Sequence, residues 1–565
     1  MPRMGYLVRA LREHSELAIF LTLALGFVIG RIRIGSFKLG NVVGTLLAGV
    51  LIGQLDIKVP SIVKTVFFDL FLFTTGYKVG PQFFRGLKRD AIPQVLLTVV
   101  LCVSCLVTAL ASAWLFGYDM GTAAGLLAGA FSESTVIGTA GEAIQRLGLP
   151  AAEKTALVNN IPVAYAVTYL IGTASLVWFL PKIGPKLMGI TLRGEAERMQ
   201  SVAGDAELGL GIISAARLFD ARAYRVTNPV LVNKTIAQVE ALPEDSRVFV
   251  VRIRRGADII ESTPATVVRQ DDVVAILARQ ETHVKGGRKV GPEVDDKALL
   301  DIPIETVDVV VTQRSLAGKT LKDLGKLESM RGAFLRRFTR AGQEMPITAG
   351  SVIDRGDVLQ LIGSKPDVER VAKELGYADR PTTSTDMVFV GTGIVLGGFV
   401  GLLSVTIGNI PLTLTASGGA LIMGLVFGWL RSVYPFFGRI PEAAIWIFDT
   451  VGLCTFIGVV GLSAGPSFVA GLQKTGMSLV LVGLVAALLP HTIGILFGRF
   501  VLRMEPLIVL GACAGAGTIT AALRAIQDEA RSSIPALGYT VPYAIGNILL
   551  TAWGPVLIGL MSRAQ

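Results

Sequence analysis

Residues 121–135 read GTAAGLLAGAFSEST, and residues 506–520 read PLIVLGACAGAGTIT. In the first stretch, Gly121 to Phe131 gives only 11 apolar or small residues before Ser132-Glu133-Ser134-Thr135 interrupts them. A helix needs about 20 apolar residues to cross a bilayer. The second stretch is broken in the same way, by the small and glycine-rich run Gly511 to Thr518. Backbone without helical bonds survives at membrane depth only when it is buried in protein or lines a wet cavity. Both stretches therefore read as re-entrant hairpins rather than clean spans.

Working outward, each stretch is the fifth of six apolar segments. The first set covers about 16–30, 40–55, 61–78, 92–117, 121–147 and 157–180. The second covers about 387–408, 412–430, 443–460, 477–500, 506–526 and 540–561. Val95 to Phe116 is 22 residues without a charge. The N-terminal apolar run passes into Arg31 without a small-residue cleavage site, so it does not read as a removable leader. The two sets resemble each other. Gly80-Pro81-Gln82-Phe83 matches Gly465-Pro466-Ser467-Phe468, and Ile161-Pro162-Val163-Ala164 matches Val541-Pro542-Tyr543-Ala544. Weak internal similarity of this kind marks transporter repeats.

Charge gives the orientation. With both fifth segments re-entrant, each half has five spans and the second half runs inverted. The loops on the side of the central insert then hold 13 Lys and Arg, including Lys78, Arg85, Lys88 and Arg89, against six on the other side. Six full spans per half would reverse this to seven against 12. Cytoplasmic loops are enriched in Lys and Arg, which selects five spans with the insert in the cytoplasm. Arg3, Arg9 and Arg12 oppose the count and stand outside it.

The composition agrees. The 565 residues are 52% hydrophobic and 17% charged, with a mean hydropathy of +0.60. The net charge of +10 sits beside hydrophobic segments, so it points to membrane orientation and away from nucleic acid. Cys102, Cys105, Cys454 and Cys513 all lie in apolar segments and read as packing residues without a disulfide framework.

The insert, about 195–380, is ordinary soluble sequence with a tandem repeat. At an offset of 85 residues, Val226-Thr227 matches Val311-Thr312, Lys234-Thr235 matches Lys319-Thr320, Arg255 matches Arg340, and Asp272-Val273 matches Asp357-Val358. Runs such as Val248 to Val251 and Val273 to Leu277 read as strands. These marks, with Arg255-Gly256 and Arg355-Gly356-Asp357-Val358, resemble the RCK C-terminal (TrkA-C) domain. The resemblance implies either a dimerisation module or a sensor of an unidentified regulatory ligand. No G-x-G-x-x-G follows a strand in the insert, so a nucleotide-binding companion is not expected.

Two hydrophobic halves around a tandem TrkA-C insert resemble the aspartate:alanine exchanger family. The residues carrying the resemblance are Phe68-Asp69, Gly76 to Pro81, Ala128 to Thr139, Asn159-Asn160-Ile161-Pro162, Gly511 to Thr520 and Tyr539 to Asn547. The expected architecture is an α-helical polytopic membrane protein with four regions. These are transmembrane repeat 1 (1–190), TrkA-C domains at 205–285 and 295–378, and transmembrane repeat 2 (386–565). The family implies electrogenic exchange of small amino or dicarboxylic acids across the bacterial inner membrane. Aspartate with alanine is the type case, and succinate export is also represented. A homodimer is implied by the tandem RCK-type domains. An ion channel or cation transporter gated by those domains is the competing reading, although a TVGYG-like filter is absent. A membrane receptor is a third reading without a visible output domain. No metal cluster, cofactor motif or nucleophile–base motif is visible in the sequence, so no catalysis is expected.

The transported acid needs donors in a dry pocket. Helix N-termini supply N–H groups and a positive dipole end. Ser132, Ser134, Thr135 and Thr139 at the first break, and Gly515, Gly517, Thr518 and Thr520 at the second, suit that need. Small residues that merely let helices pack are the plainer alternative. Asn159 and Asn160 offer amides before Pro162, or cap a helix at the interface. Pro162 and Pro542 lack an N–H and leave helical carbonyls unbonded. Glu133 would repel an anion unless it meets an ammonium group, a proton or a cation, or faces water at the hairpin mouth. Asp69 and Asp449 are intramembrane acids, which are costly and default to function. Asp69 has Lys64 or Lys78 as conceivable partners. Arg524 is a candidate countercharge or a cytoplasmic-face residue. His491 reads as a packing histidine.

Overall fold

The structure is a computed structural model. It describes residues 2–34, 37–87, 91–202, 219–243, 248–286, 289–340, 342–379, 384–407, 410–413, 415–434 and 438–564. Lys88, Arg89, Pro381 and the start of the first insert domain (203–218) lie outside the described residues. The chain forms two compact units, residues 1–196 with 382–565, and residues 197–381.

The first unit is helical. Its first half runs α1 (Ser15–Ile29), α2 (Asn41–Gly53), α3 (Ser61–Gly86), α4 (Ile92–Phe116), α5 (Met120–Ala130), α6 (Thr135–Gln145) and α7 (Ala151–Lys182). Its second half runs α8 (Met387–Leu402), α9 (Thr415–Val433), α10 (Gly452–Leu496), α11 (Pro506–Ala516), α12 (Thr520–Ala530) and α13 (Ala536–Ala564). Short antiparallel strand pairs lie between α1 and α2 (Arg33–Ile34 with Phe37–Lys38) and between α8 and α9 (Ser404–Ile407 with Ile410–Thr413). Among the described residues, six helical stretches are long and apolar enough to cross a membrane. Large apolar side chains such as Trp114, Leu115, Val388, Phe399 and Leu481 are more than half exposed. Apolar surface on that scale suits contact with lipid. The protein is a multi-pass membrane protein with a central α+β insert.

The two halves interlock. The second helix of each half packs on the long third helix of the other, α2 on α10 and α9 on α3. Glycines allow the contact. A Cβ on Gly76 or Gly80 would strike the Leu421 or Leu425 carbonyl, and one on Gly424 or Gly428 would strike the Phe73 or Tyr77 carbonyl. Small residues four apart let two backbones approach in this way.

Two boundaries differ from the sequence reading. α3 continues past residue 78 to Gly86 with Pro81 inside it, so Lys78 and Arg85 sit on a helix and not in a loop. The third and fourth apolar segments of the second half merge into α10, a helix of 45 residues. The stretches Glu442–Gln473 and Met477–Val501, on either side of residues 474–476, are each long and apolar enough to cross a membrane.

The insert is one unit built from two copies of one sheet. The first comprises β1 (Phe219–Arg225), β2 (Phe249–Arg255), β3 (Asp258–Glu261), β4 (Val273–Arg279) and β5 (Glu293–Val294), in the order β3-β2-β4-β1-β5. The second comprises β6 (Ile304–Val311), β7 (Ala333–Arg340), β8 (Gln343–Glu344), β9 (Val358–Ser364) and β10 (Gly376–Asp379), in the order β8-β7-β9-β6-β10. The repeated motifs have structural work in both copies. Thr235 and Thr320 cap the short helices 236–240 and 321–325. Arg255 holds Asp272 and Arg340 holds Asp357 through paired hydrogen bonds. The copies meet through Phe249 and Phe334, whose rings are 5.0 Å apart edge to face, and through Arg331 bound to Glu240.

Candidate functional site

Each predicted hairpin is a pair of 11-residue helices, α5–α6 and α11–α12, separated by a short break. The first helix of each pair packs against the helix that follows the pair. Gly121 and Gly125 press on the carbonyls of Leu157 and Ile161 in α7. Gly511 and Gly515 press on those of Pro535 and Tyr539. Gly515 is thus a packing residue. Asp119 caps α5 by accepting from the Thr122 amide at 2.9 Å, and Asn160 Nδ2 donates to the same carboxylate at 3.0 Å. Asn159 and Asn160 lie inside α7, so neither is an end cap of that helix.

At each break one non-glycine residue adopts left-handed backbone, Ser132 with φ 55° and Thr518 with φ 56°. Such conformations persist only where the surroundings enforce them. Hydroxyl contacts flank both breaks. Ser132 Oγ lies 2.7 Å from Thr173 Oγ1, and Ser134 Oγ lies 2.8 Å from the Tyr165 hydroxyl. At the second break, Thr520 Oγ1 lies 2.7 Å from the Tyr539 hydroxyl. The two breaks also touch. Thr518 Oγ1 donates to the Phe131 carbonyl at 2.8 Å, bridging residues from opposite halves of the chain.

Their helix starts differ chemically. Glu133 is buried, and its carboxylate accepts from Thr135 Oγ1 at 2.6 Å and the Thr135 amide at 3.3 Å. The start of α6 is therefore already occupied by a carboxyl group of the protein's own. This removes the alternative in which Glu133 faces water at the hairpin mouth. Thr135 also meets Thr551 Oγ1 of α13 at 2.6 Å, and Thr139 Oγ1 donates to the Thr551 carbonyl at 3.0 Å. At the start of α12, Ile519 supplies no side-chain acceptor to the first amides.

His491 completes the junction. Its Nδ1 lies 2.7 Å from the Ala487 carbonyl, which can only accept, so Nδ1 carries the hydrogen. Its Nε2 is fully buried and has no hydrogen-bond partner. That nitrogen faces Gly517, where a Cβ would sit 2.5 Å away, and the ring lies 5.2 Å from Phe131. The packing histidine expected from sequence is thus only half satisfied.

The remaining predicted residues lie elsewhere. Pro162 and Pro542 are buried inside α7 and α13. Asp449 binds Lys78 at 2.8 Å, which joins the two halves and leaves Asp69 without that partner. Asp69 instead lies 2.6 Å from Ser417 Oγ, which is also 2.5 Å from Glu142 Oε1. Arg524 is exposed on α12. Sequence reasoning missed Glu142, Ser417, Tyr165, Tyr539 and Thr551. Hydroxyls in apolar helices are common, and their meeting depends on tertiary packing.

Residues 18–184 and 389–559 match a family model described as a predicted permease membrane region, and residues 222–282 match the TrkA-C domain. A transporter of Shewanella oneidensis is 42% identical, over 99% of this chain and 100% of its own. One from Bradyrhizobium diazoefficiens is 41% identical, over 91% and 100%, and one from Bordetella bronchiseptica is 38% identical, over 98% of each. All three are described as uncharacterized transporters. No solved structure matches the chain.

Proposed function

The chain belongs to the predicted permease membrane region family, and from that premise we propose that it is a secondary antiporter for small amino acids or dicarboxylates. It exchanges them across the bacterial inner membrane by alternating access, with the insert in the cytoplasm and aspartate against alanine as the pair. One observation carries this reading: the break of one half is hydrogen-bonded to the break of the other, Thr518 to Phe131. A substrate held there touches both halves, and relative motion of the halves exposes it to either side.

The junction's chemistry favours an amino acid over a plain diacid. The α12 start offers amides and a dipole end to a carboxylate. Glu133 and the His491 Nε2 lone pair offer acceptors to an ammonium group. The test is counterflow of labelled L-aspartate in proteoliposomes with alanine, glutamate and succinate as competitors. Alanine and glutamate are expected to compete more strongly than succinate. Succinate as the strongest competitor would make the protein a dicarboxylate carrier.

A further inference from the structure

Beyond the break, at the far end of α6, α3, α6, α7 and α10 enclose a cavity of about 290 Å³. That is near the lower end for small-molecule sites, roughly 300 Å³. Phe68 and Phe456 line it, their rings stacked at 4.3 Å. The polar wall holds both signs of charge: Lys64 from α3, Glu142 and Gln145 from α6, and Arg146 just past the end of α6.

Glu142 is the informative residue. Its Oε1 meets Ser417 Oγ, and Ser417 Oγ also meets Asp69. The hydroxyl has one proton for two carboxyls, so one carboxyl supplies a second. Whichever does, Glu142 Oε2 remains an acceptor. That oxygen is buried and has no hydrogen-bond partner. Lys64 shares the cavity with it and feels its charge, but among the described residues no direct hydrogen bond joins the two. A buried acceptor left unmatched is costly, so Glu142 Oε2 is a place where a ligand's N–H would be stabilised, on a wall that also carries the Lys64 ammonium group.

We propose that this cavity is an access subsite for an acid that also carries an N–H donor, an acidic amino acid and not a dicarboxylate. The ammonium group meets Glu142 Oε2, and the carboxylates meet Lys64 and Arg146. On the charge-count topology Lys64 and Arg146 belong to the side away from the insert, so the subsite serves the outward-facing end. The proposal rests on the exchanger reading and deepens it with a specificity-determining pair, Lys64 and Glu142.

The test is equilibrium binding of labelled L-aspartate and labelled succinate to the purified full-length protein. Lys64→Met is expected to weaken both by about tenfold, the size of one charge-assisted hydrogen bond. Glu142→Gln is expected to weaken aspartate about tenfold and leave succinate unchanged or tighter. Glu142→Asp, which keeps the carboxylate, is expected to retain the preference for aspartate and serves as the control for folding. An unchanged aspartate-to-succinate ratio in Glu142→Gln, with the wild-type protein still active in counterflow, overturns the subsite alone. Binding of neither acid to the wild-type protein overturns the subsite and the exchanger reading together.

Discussion

At the residue scale, Gly517 and His491 form a close contact at the junction. Gly517 has φ −81°, which alanine tolerates, so an effect of Gly517→Ala would come from its new Cβ and not from backbone strain. The expected result is a loss of about 1–3 kcal/mol, as for other overpacked cores, and a fall in counterflow. Adding His491→Ala is expected to recover most of the lost stability in a thermal melt, because the clash disappears. Equal melting losses with and without His491 would show that the contact is not the cause. The hydroxyls act differently. Ser134→Ala combined with Thr518→Ala removes two hydrogen bonds at about 1 kcal/mol each. Transport affinity is expected to fall about tenfold or more, with elution of folded protein unchanged; unaltered kinetics would remove the junction as the site.

The residues also show where sequence reading stops. The breaks at 132–135 and 517–518 were legible because polar and glycine residues interrupt apolar runs at matching places. The capping of α6 by Glu133 was not, since the same carboxylate could equally have faced water. The Lys78–Asp449 pair was hidden by 371 residues of separation and by a helix that continues through Pro81.

At the element scale, the insert's repeat was legible because its marks are local and recur at fixed spacing. Structure gives those marks a stabilising role. Arg340 and Asp357 are both nearly inaccessible, with side chains 4% and 1% exposed. Arg340→Ala leaves Asp357 charged and unpaired, and is expected to cost the insert about 3–5 kcal/mol. Hydrogen exchange at β7 and β9 checks this.

A pH effect belongs to the same element. His283 Nε2 donates to the Asp220 carbonyl, and Nδ1 accepts from the Tyr224 hydroxyl at 3.0 Å. Burial lowers its pKa below the ordinary value, and nearby Arg222 pushes the same way while Asp220 and Glu293 oppose it. The unfolded chain thus binds this proton more readily. The stability His283 contributes is complete above about pH 6.5 and is lost as pH falls through the lower folded value. The protection of amides in β1 and β4, taken relative to the intrinsic exchange rate at each pH, is expected to fall on acidification, and His283→Gln to flatten that response.

At the scale of the whole molecule, the interlocked halves explain why breaks so far apart in sequence share one place. The topology behind that account can be tested directly, because all four native cysteines are buried. Leu87→Cys and Ala151→Cys place exposed thiols at the ends of α3 and α7. A membrane-impermeant thiol reagent applied to whole cells is expected to reach residue 151 and not residue 87. Labelling of both from one side would overturn the five-span arrangement.

The most direct test of exchange compares uptake of labelled L-aspartate into proteoliposomes loaded with unlabelled aspartate or alanine and into empty ones. The account expects rapid uptake into loaded vesicles and almost none into empty ones, because the site must return occupied. Equal uptake into empty vesicles, driven by an ion gradient alone, would contradict an obligatory exchanger.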